Sequence, residues 1–318
     1  MQMPLSLQSA VERELSDCAP QAIRAAALDL SRRYREKGKA PDGARLAHSA
    51  DEVRAYAAFR MPATYAAVSR ALEMGVEAGM PGAQTMTDVG SGSGSAYWAA
   101  RAAFPELRRA QLLEREREMI ALAKRLAAGQ AGEVEWIAAD VREAAIPAAD
   151  LVTASYCLGE LRPEEAEPVV LRLWEAAARA LRLVEPGTPQ GHARIRRYAE
   201  QLQGAGARVL APCPAGNAAC PLDGTDFCAF TVRVERSRLH RFLKEGELSY
   251  EDESFSFLIA AREAGSPPPA RVLRRPRIRS GLVELSVCRD GEVRTETVPR
   301  SNPNFKRARK ADPGSPWV

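Results

Sequence analysis

Histidine is nearly absent: His48, His192 and His240 are the only three in 318 residues, and they form no spaced set. A histidine-driven acid–base mechanism is therefore not argued. No stretch approaches the roughly 18 apolar residues that a membrane span needs. The start, "MQMPLSLQSAVERELSD", has no basic segment leading into an apolar run. These absences point to a soluble, cytoplasmic protein with no membrane partner. Disulfides are then not expected among the six cysteines, because thiols in that compartment are kept reduced. The usual zinc knuckle, Cys-x-x-Cys, is missing as well. A formal charge of only +4 means that the chain as a whole is not a polycation.

What is present is a chain long enough, and at 46% hydrophobic residues apolar enough, to bury a sizeable core. Apolar residues at helical spacing fill residues 1–82, with Ser49 as a helix N-cap, Gly38 and Gly79 as stops, and Cys18 as a packed thiol. From Gln84 the pattern changes. "QTMTDVGSGSGSAYWAARAAF" reads as strand, glycine turn and helix, and strands then alternate with helices through "AQLLERE", "EREMIALAKRLAA", "VEWIAAD", "ADLVTASYCLGEL", "EPVVLRLWEAAARA", "LRLVEPGT" and "GHARIRRYAEQLQGAG". "FCAFTVRVE" and "ESFSFLIAARE" add late strands, which gives a doubly wound, largely parallel α/β sheet over 83–265. "SPPPA" then marks a linker. Beyond it, 266–318 reads as a small β unit with a basic end, carrying twelve Lys/Arg against five Asp/Glu from Arg271 onward.

"DVGSGSG" places Gly90, Gly92 and Gly94 between a strand and a helix, where the backbone can turn tightly and approach a ligand. The next strand ends in Glu114, where a carboxylate can accept both ribose hydroxyls, and the third ends in Asp140, which could address an adenine amino group. Asp88 precedes the turn, and no glycine falls three residues after the second one, so the dinucleotide fingerprint fits poorly. The pattern instead resembles the S-adenosylmethionine-dependent methyltransferases of the Rossmann-like class, with Asp88 near the methionine end of the cofactor. "ASYCLGEL" lacks the Asn/Asp-Pro-Pro-aromatic element of amino methyltransferases. Tyr156 and Cys157 read there as core residues more than as catalysts.

Cys213, Cys220 and Cys228 lie within sixteen residues of turn-forming sequence, "CPAGNAACPLDGTDFC", which makes them poor core residues and good ligands. Cys288 is the only cysteine left downstream to complete a four-thiolate set. Zinc and an iron–sulfur cluster both accept such a set. The spacing favours the cluster slightly, and zinc stays open.

"RAYAAFRMPATYAAV", "VEPGTPQG", "APCP…CPL…DFC", "RSRLHRFLKEGELSYEDESFSFL" and "FKRARK" together resemble the methyltransferase-like small-ribosomal-subunit assembly family, from about residue 45 to the end. The resemblance implies a Rossmann-like class I methyltransferase fold with an N-terminal helical region, a four-cysteine cluster loop and a small C-terminal β unit. It implies S-adenosylmethionine or S-adenosylhomocysteine at Gly90, Gly92 and Gly94, and a [4Fe-4S] cluster on Cys213, Cys220, Cys228 and Cys288. The expected partner is the small ribosomal subunit and its RNA, with phosphates met by Arg236, Arg238, Arg241, Lys306, Arg307, Arg309 and Lys310. The chain is expected to act as a monomer, and methyl transfer is not assured for the family.

Overall fold

The computed structural model describes all residues except 36–48, 130–131, 215–219, 223–225, 245–247 and 264. His48 and Gly38 lie outside the described residues, as do the side chains of Arg238 and Lys244. Four helices open the chain: α1 (Leu5–Leu15), α2 (Pro20–Arg35), α3 (Ala50–Phe59) and α4 (Met61–Glu77). Ser49 caps α3 by accepting the Glu52 N–H at 3.2 Å, and Gly79, at φ 83°, follows the end of α4. Their apolar stripes do not form a core of their own. Leu7, Leu30, Met61 and Leu72 belong to the same buried cluster as Met86, Leu112 and Phe257 of the sheet.

The alternating region follows, with β1 (Thr85–Val89), α5 (Ser95–Ala103), β2 (Arg109–Glu114), α6 (Arg117–Leu126), β3 (Glu133–Ala138) and β4 (Ala149–Ser155). Next come α7 (Pro163–Ala176), β5 (Ala177–Pro186), α8 (Pro189–Gly204), β6 (Arg208–Ala211), β7 (Phe230–Glu235), α9 (Arg238–Lys244) and β8 (Tyr250–Ala261). The strands form one sheet in the order β3-β2-β1-β4-β5-β8-β6, with β7 added on β8. The first five are parallel, whereas β8 runs antiparallel to β5 and β6 antiparallel to β8. A strand order that reverses at β1/β4 and carries an antiparallel strand beyond β5 is the Rossmann-like methyltransferase topology. Two elements depart from the sequence pattern. The helix read through "AAARA" stops at Ala176, because Ala177 and Ala180 pair with β4 and β8, and sheet pairing outweighs alanine's helix preference. The four-residue β6 carries too short a pattern to read.

The remainder is a separate sheet of β9 (Ala270–Val272), β10 (Arg277–Arg279), β11 (Leu282–Arg289), β12 (Glu292–Pro299) and β13 (Pro316–Trp317), with α10 (Phe305–Arg309) laid against it. It has its own small core of Val272, Val283, Leu285, Val287 and Trp317. One buried guanidinium ties it to the larger sheet. Arg271 Nε donates to Pro212 O at 2.6 Å, and Nη1 donates to Gly314 O at 2.6 Å and to Glu77 at 3.2 Å. Replacing Arg271 by Met leaves the Pro212 and Gly314 carbonyls without this donor. We expect a loss of about 3 kcal/mol in urea unfolding, together with faster proteolysis around residues 265–269. Unchanged unfolding and cleavage would show that the apolar contacts alone hold the small sheet.

Candidate functional site

A cavity of about 500 Å³ opens at the carboxyl ends of β1, β2, β4 and β5, where the strand order reverses. That is where α/β sheets bind ligands. Gly90, Gly92, Glu114 and Asp140 line it. Gly90 sits at φ 64°, and a Cβ there would lie 2.5 Å from Cys157 Cβ, so only glycine fits the turn. Gly92 N–H donates to Glu114 Oε2 at 2.8 Å, and Glu116 N–H donates to its other oxygen at 3.0 Å. Burial raises the Glu114 pKa, and these donors oppose that rise. Asp140 is engaged: Arg142 donates to both of its oxygens, at 3.0 and 2.6 Å, and holds its pKa below the ordinary value.

Two sequence candidates lie elsewhere. Gly94 is the left-handed N-cap of α5, packed under Trp136. Asp88 is buried beneath the turn and accepts the Thr153 hydroxyl at 2.6 Å. Burial pushes its pKa up to about 6, opposed by the Thr153 bond and by Arg182. Arg182, fully buried, donates to Ser155 Oγ at 3.0 Å, and burial lowers its pKa to about 10.

The outer wall is built from Tyr156 and Cys157, read from the sequence as core residues, and from Arg60 and Glu185, which the sequence pattern did not single out. Arg60, from the α3–α4 junction, donates to both oxygens of Glu253 on β8, at 3.0 and 2.9 Å. The Tyr156 hydroxyl donates to the same carboxylate at 3.1 Å, and Tyr156 holds a left-handed φ of 60° that its side chain disfavours. Glu185, at the end of β5, is buried, accepts from Gly159 N–H and Arg194 at 3.2 Å each, and titrates near 7 because of burial. Cys157 donates its S–H to Val89 O at 3.3 Å. Burial, then Glu185, pushes its thiol well above the ordinary range, so it is a neutral packed thiol rather than a nucleophile.

A second cavity, of about 90 Å³, is lined by Cys213, Cys220, Cys228 and Cys288. Buried Cys288 is hydrogen-bonded to Cys213, which with burial raises its pKa. Burial and the neighbouring Cys220 and Cys213 push Cys228 up to about 12. The irregular chain around these thiols is pinned by bonds to its carbonyls. Arg271 holds Pro212, Arg196 holds Leu222 at 3.2 Å, Arg274 holds Phe227 at 2.8 Å, and the Ser256 hydroxyl holds Cys228 at 2.7 Å. Among the described residues no three His, Cys, Asp or Glu side chains are set to hold a single metal ion.

The basic candidates divide. Arg236 is mostly buried and pairs with Glu251 at 2.9 Å, and Arg241 is half-buried, so neither is a free surface charge. Lys306, Arg307, Arg309 and Lys310 are exposed on and after α10. Lys306 and Arg309 join Arg279, Arg300 and Phe305 around an open groove of about 680 Å³.

Residues 50–318 match the family described as mitochondrial small ribosomal subunit Rsm22. The chain belongs to this family. It is 32% identical over 251 residues to the human mitochondrial ribosome assembly protein METTL17, covering 70% of this chain and 53% of that protein. The chain thus spans about half the length of this relative. Solved structures of similar shape include an O-methyltransferase family protein from Burkholderia thailandensis (17% identity, 77% of this chain and 71% of that one, TM-score 0.46). Another is the magnesium protoporphyrin IX methyltransferase of Synechocystis with bound SAH (15% identity, 74% and 94%, TM-score 0.42). In this Rsm22 member the matched residues take in both cavities and the basic groove. "RAYAAFRMPATYAAV" supplies Tyr56 and Arg60 to the cavity wall. Among the described residues no helix is long and apolar enough to cross a membrane.

Glu185 gives the cavity a pH signature. Its pKa rises from 4.5 unfolded to about 7 folded, so the folded chain keeps the proton longer. Its contribution to stability therefore falls as pH rises from about 4.5 to 7 and is level above that. Glu185→Gln should reduce that decline by about 2 kcal/mol between pH 5 and 7.5, read by urea unfolding. Parallel curves for variant and parent would refute it.

Proposed function

We propose that this chain is a small-subunit assembly factor that binds S-adenosylmethionine or S-adenosylhomocysteine and carries a [4Fe-4S] cluster on Cys213, Cys220, Cys228 and Cys288. It meets ribosomal RNA through the basic groove on the small sheet. The observation that carries the reading is the sharing of one cavity by the three thiols of the 213–228 loop and the distant Cys288, in a member of the Rsm22 family.

The residues fit both groups. Glu114 would take the nucleoside hydroxyls, and the Gly90–Gly92 turn leaves room for the amino-acid end. When bound, the cofactor supplies a sulfonium methyl group. A zinc ion needs four sulfurs about 4 Å apart. Four thiols on one cavity are the donor set that a cluster takes, and a zinc ion would take the same set. Arg271 and Arg274, whose charges lower the Cys228 pKa, suit an anionic centre. Exposed Lys306, Arg307, Arg309 and Lys310 suit a phosphate backbone.

Anaerobically purified protein should be brown and hold iron and acid-labile sulfide, and Cys288→Ser should lose both and expose 266–318 to protease. A colourless protein with stoichiometric zinc would overturn the cluster. Affinity for immature small subunits should fall roughly tenfold to hundredfold between 50 and 200 mM salt, and salt-insensitive binding would remove the groove as the contact.

A second reading, methyl transfer to the same RNA, is favoured by the strained Tyr156 and the buried Glu185 on the cavity wall. Labelled methyl donor with immature subunits separates the two. RNA label that vanishes in Gly92→Asp supports the enzyme, and binding without label supports the factor.

A further inference from the structure

Helix α8 buries a stripe of Gly191, His192, Ile195, Tyr198 and Leu202. All but one are apolar or aromatic core residues, and His192 is the exception. Its Nε2 lies 3.8 Å from Cys220 Sγ, within hydrogen-bonding reach of sulfur. The same sulfur receives the Leu222 N–H, and one turn along α8 Arg196 holds Leu222 O at 3.2 Å. Two side chains of one helix therefore fix the chain around a single cysteine.

We propose that His192 is a positioning residue that donates its Nε2–H to the Cys220 sulfur. Cys220 is thereby the hydrogen-bonded corner of the cluster. The inference rests on the cluster reading given above. A hydrogen bond to a ligand sulfur stabilises negative charge there, and the reduced cluster carries more of it, so the bond raises the reduction potential. It also fixes the orientation of the ligand, as outer-shell partners do at metal sites generally.

The test uses the full chain, purified anaerobically. Iron and sulfide in the parent protein are measured first, and their absence overturns the cluster reading and this one with it. With the cluster present, His192→Leu should lower the reduction potential and speed loss of the visible absorption to a chelator by roughly tenfold to hundredfold. His192→Gln, which keeps an N–H donor, should restore most of both. An unchanged potential in a His192→Leu protein that retains its cluster would overturn the proposal, because a histidine that merely packs would alter stability and not potential. Should the leucine variant fail to fold, pulsed electron paramagnetic resonance of the reduced parent protein labelled with ¹⁵N-histidine decides. A weak ¹⁵N coupling to the cluster is expected, and its absence would overturn the assignment.

Discussion

Everything at the junction of the two sheets depends on one charge taken out of water. Arg271 is buried in β9, opposite Cys288 of β11 in the antiparallel register, while its Nε holds the carbonyl of Pro212, the residue before Cys213. The same side chain thus locates Cys288 on one side and Cys213 on the other, although 75 residues of chain separate them. A buried guanidinium is costly unless its protons find acceptors. Three bonds go to Pro212, Gly314 and Glu77, and Nη2 is left buried without a partner among the described residues. An apolar residue would escape the desolvation cost of the guanidinium, but it would leave the Pro212 and Gly314 carbonyls without their donor and take positive charge away from the cysteine cavity.

The two cavities are not independent, because α8 walls both. Gln190 and Arg194 face the larger cavity, and His192, Ile195 and Arg196 face the cysteines. Its N-cap, Thr188, accepts the Gly191 N–H at 3.1 Å and also lines the larger cavity. A small rotation of its first two turns would alter Arg194 against Glu185 and His192 against Cys220 together.

The parallel sheet was legible because short strand-like segments alternate with helical ones, and the glycine turn marks the end of β1. The capping of α3 by Ser49 was equally local. What could not be read depends on contacts between distant segments. Glu253 sits in an alternating strand and looks like any solvent-facing acid, yet it receives Arg60 and Tyr156 from segments 193 and 97 residues away. Arg182 and Arg271 resemble ordinary strand-flanking cations until the fold buries them. Arg236 shows the reverse: its basic neighbours suggested a surface patch, but Glu251 opposite in β8 takes its charge. Cysteine spacing marked the thiols as unusual, yet spacing alone does not bring Cys288 to the others; the register of β11 against β9 does.

The larger cavity is expensive in the same sense. On its wall Glu185 is a buried and Glu114 a half-buried carboxylate, both with raised pKa values, and Tyr156 holds a backbone angle that side chains rarely adopt; beneath it lie buried Asp88, with a raised pKa, and buried Arg182, with a lowered one. Asp88 Oδ2 and two nitrogens of Arg182 find no partner among the described residues. Each feature costs stability, and an apolar filling of similar volume would be cheaper. Features of this kind cluster where a ligand or a reaction repays them elsewhere. If the cavity were only a relic of an ancestral fold, mutation would be free to replace its charges one at a time, since each isolated loss would stabilise the chain. Instead they form interlocked pairs, in which removing Arg60 strands Glu253 and Tyr156, and removing Arg194 strands Glu185. Removing one partner of such a pair leaves the other without its counter-charge in a low-dielectric wall, so the wall stands or falls as a unit.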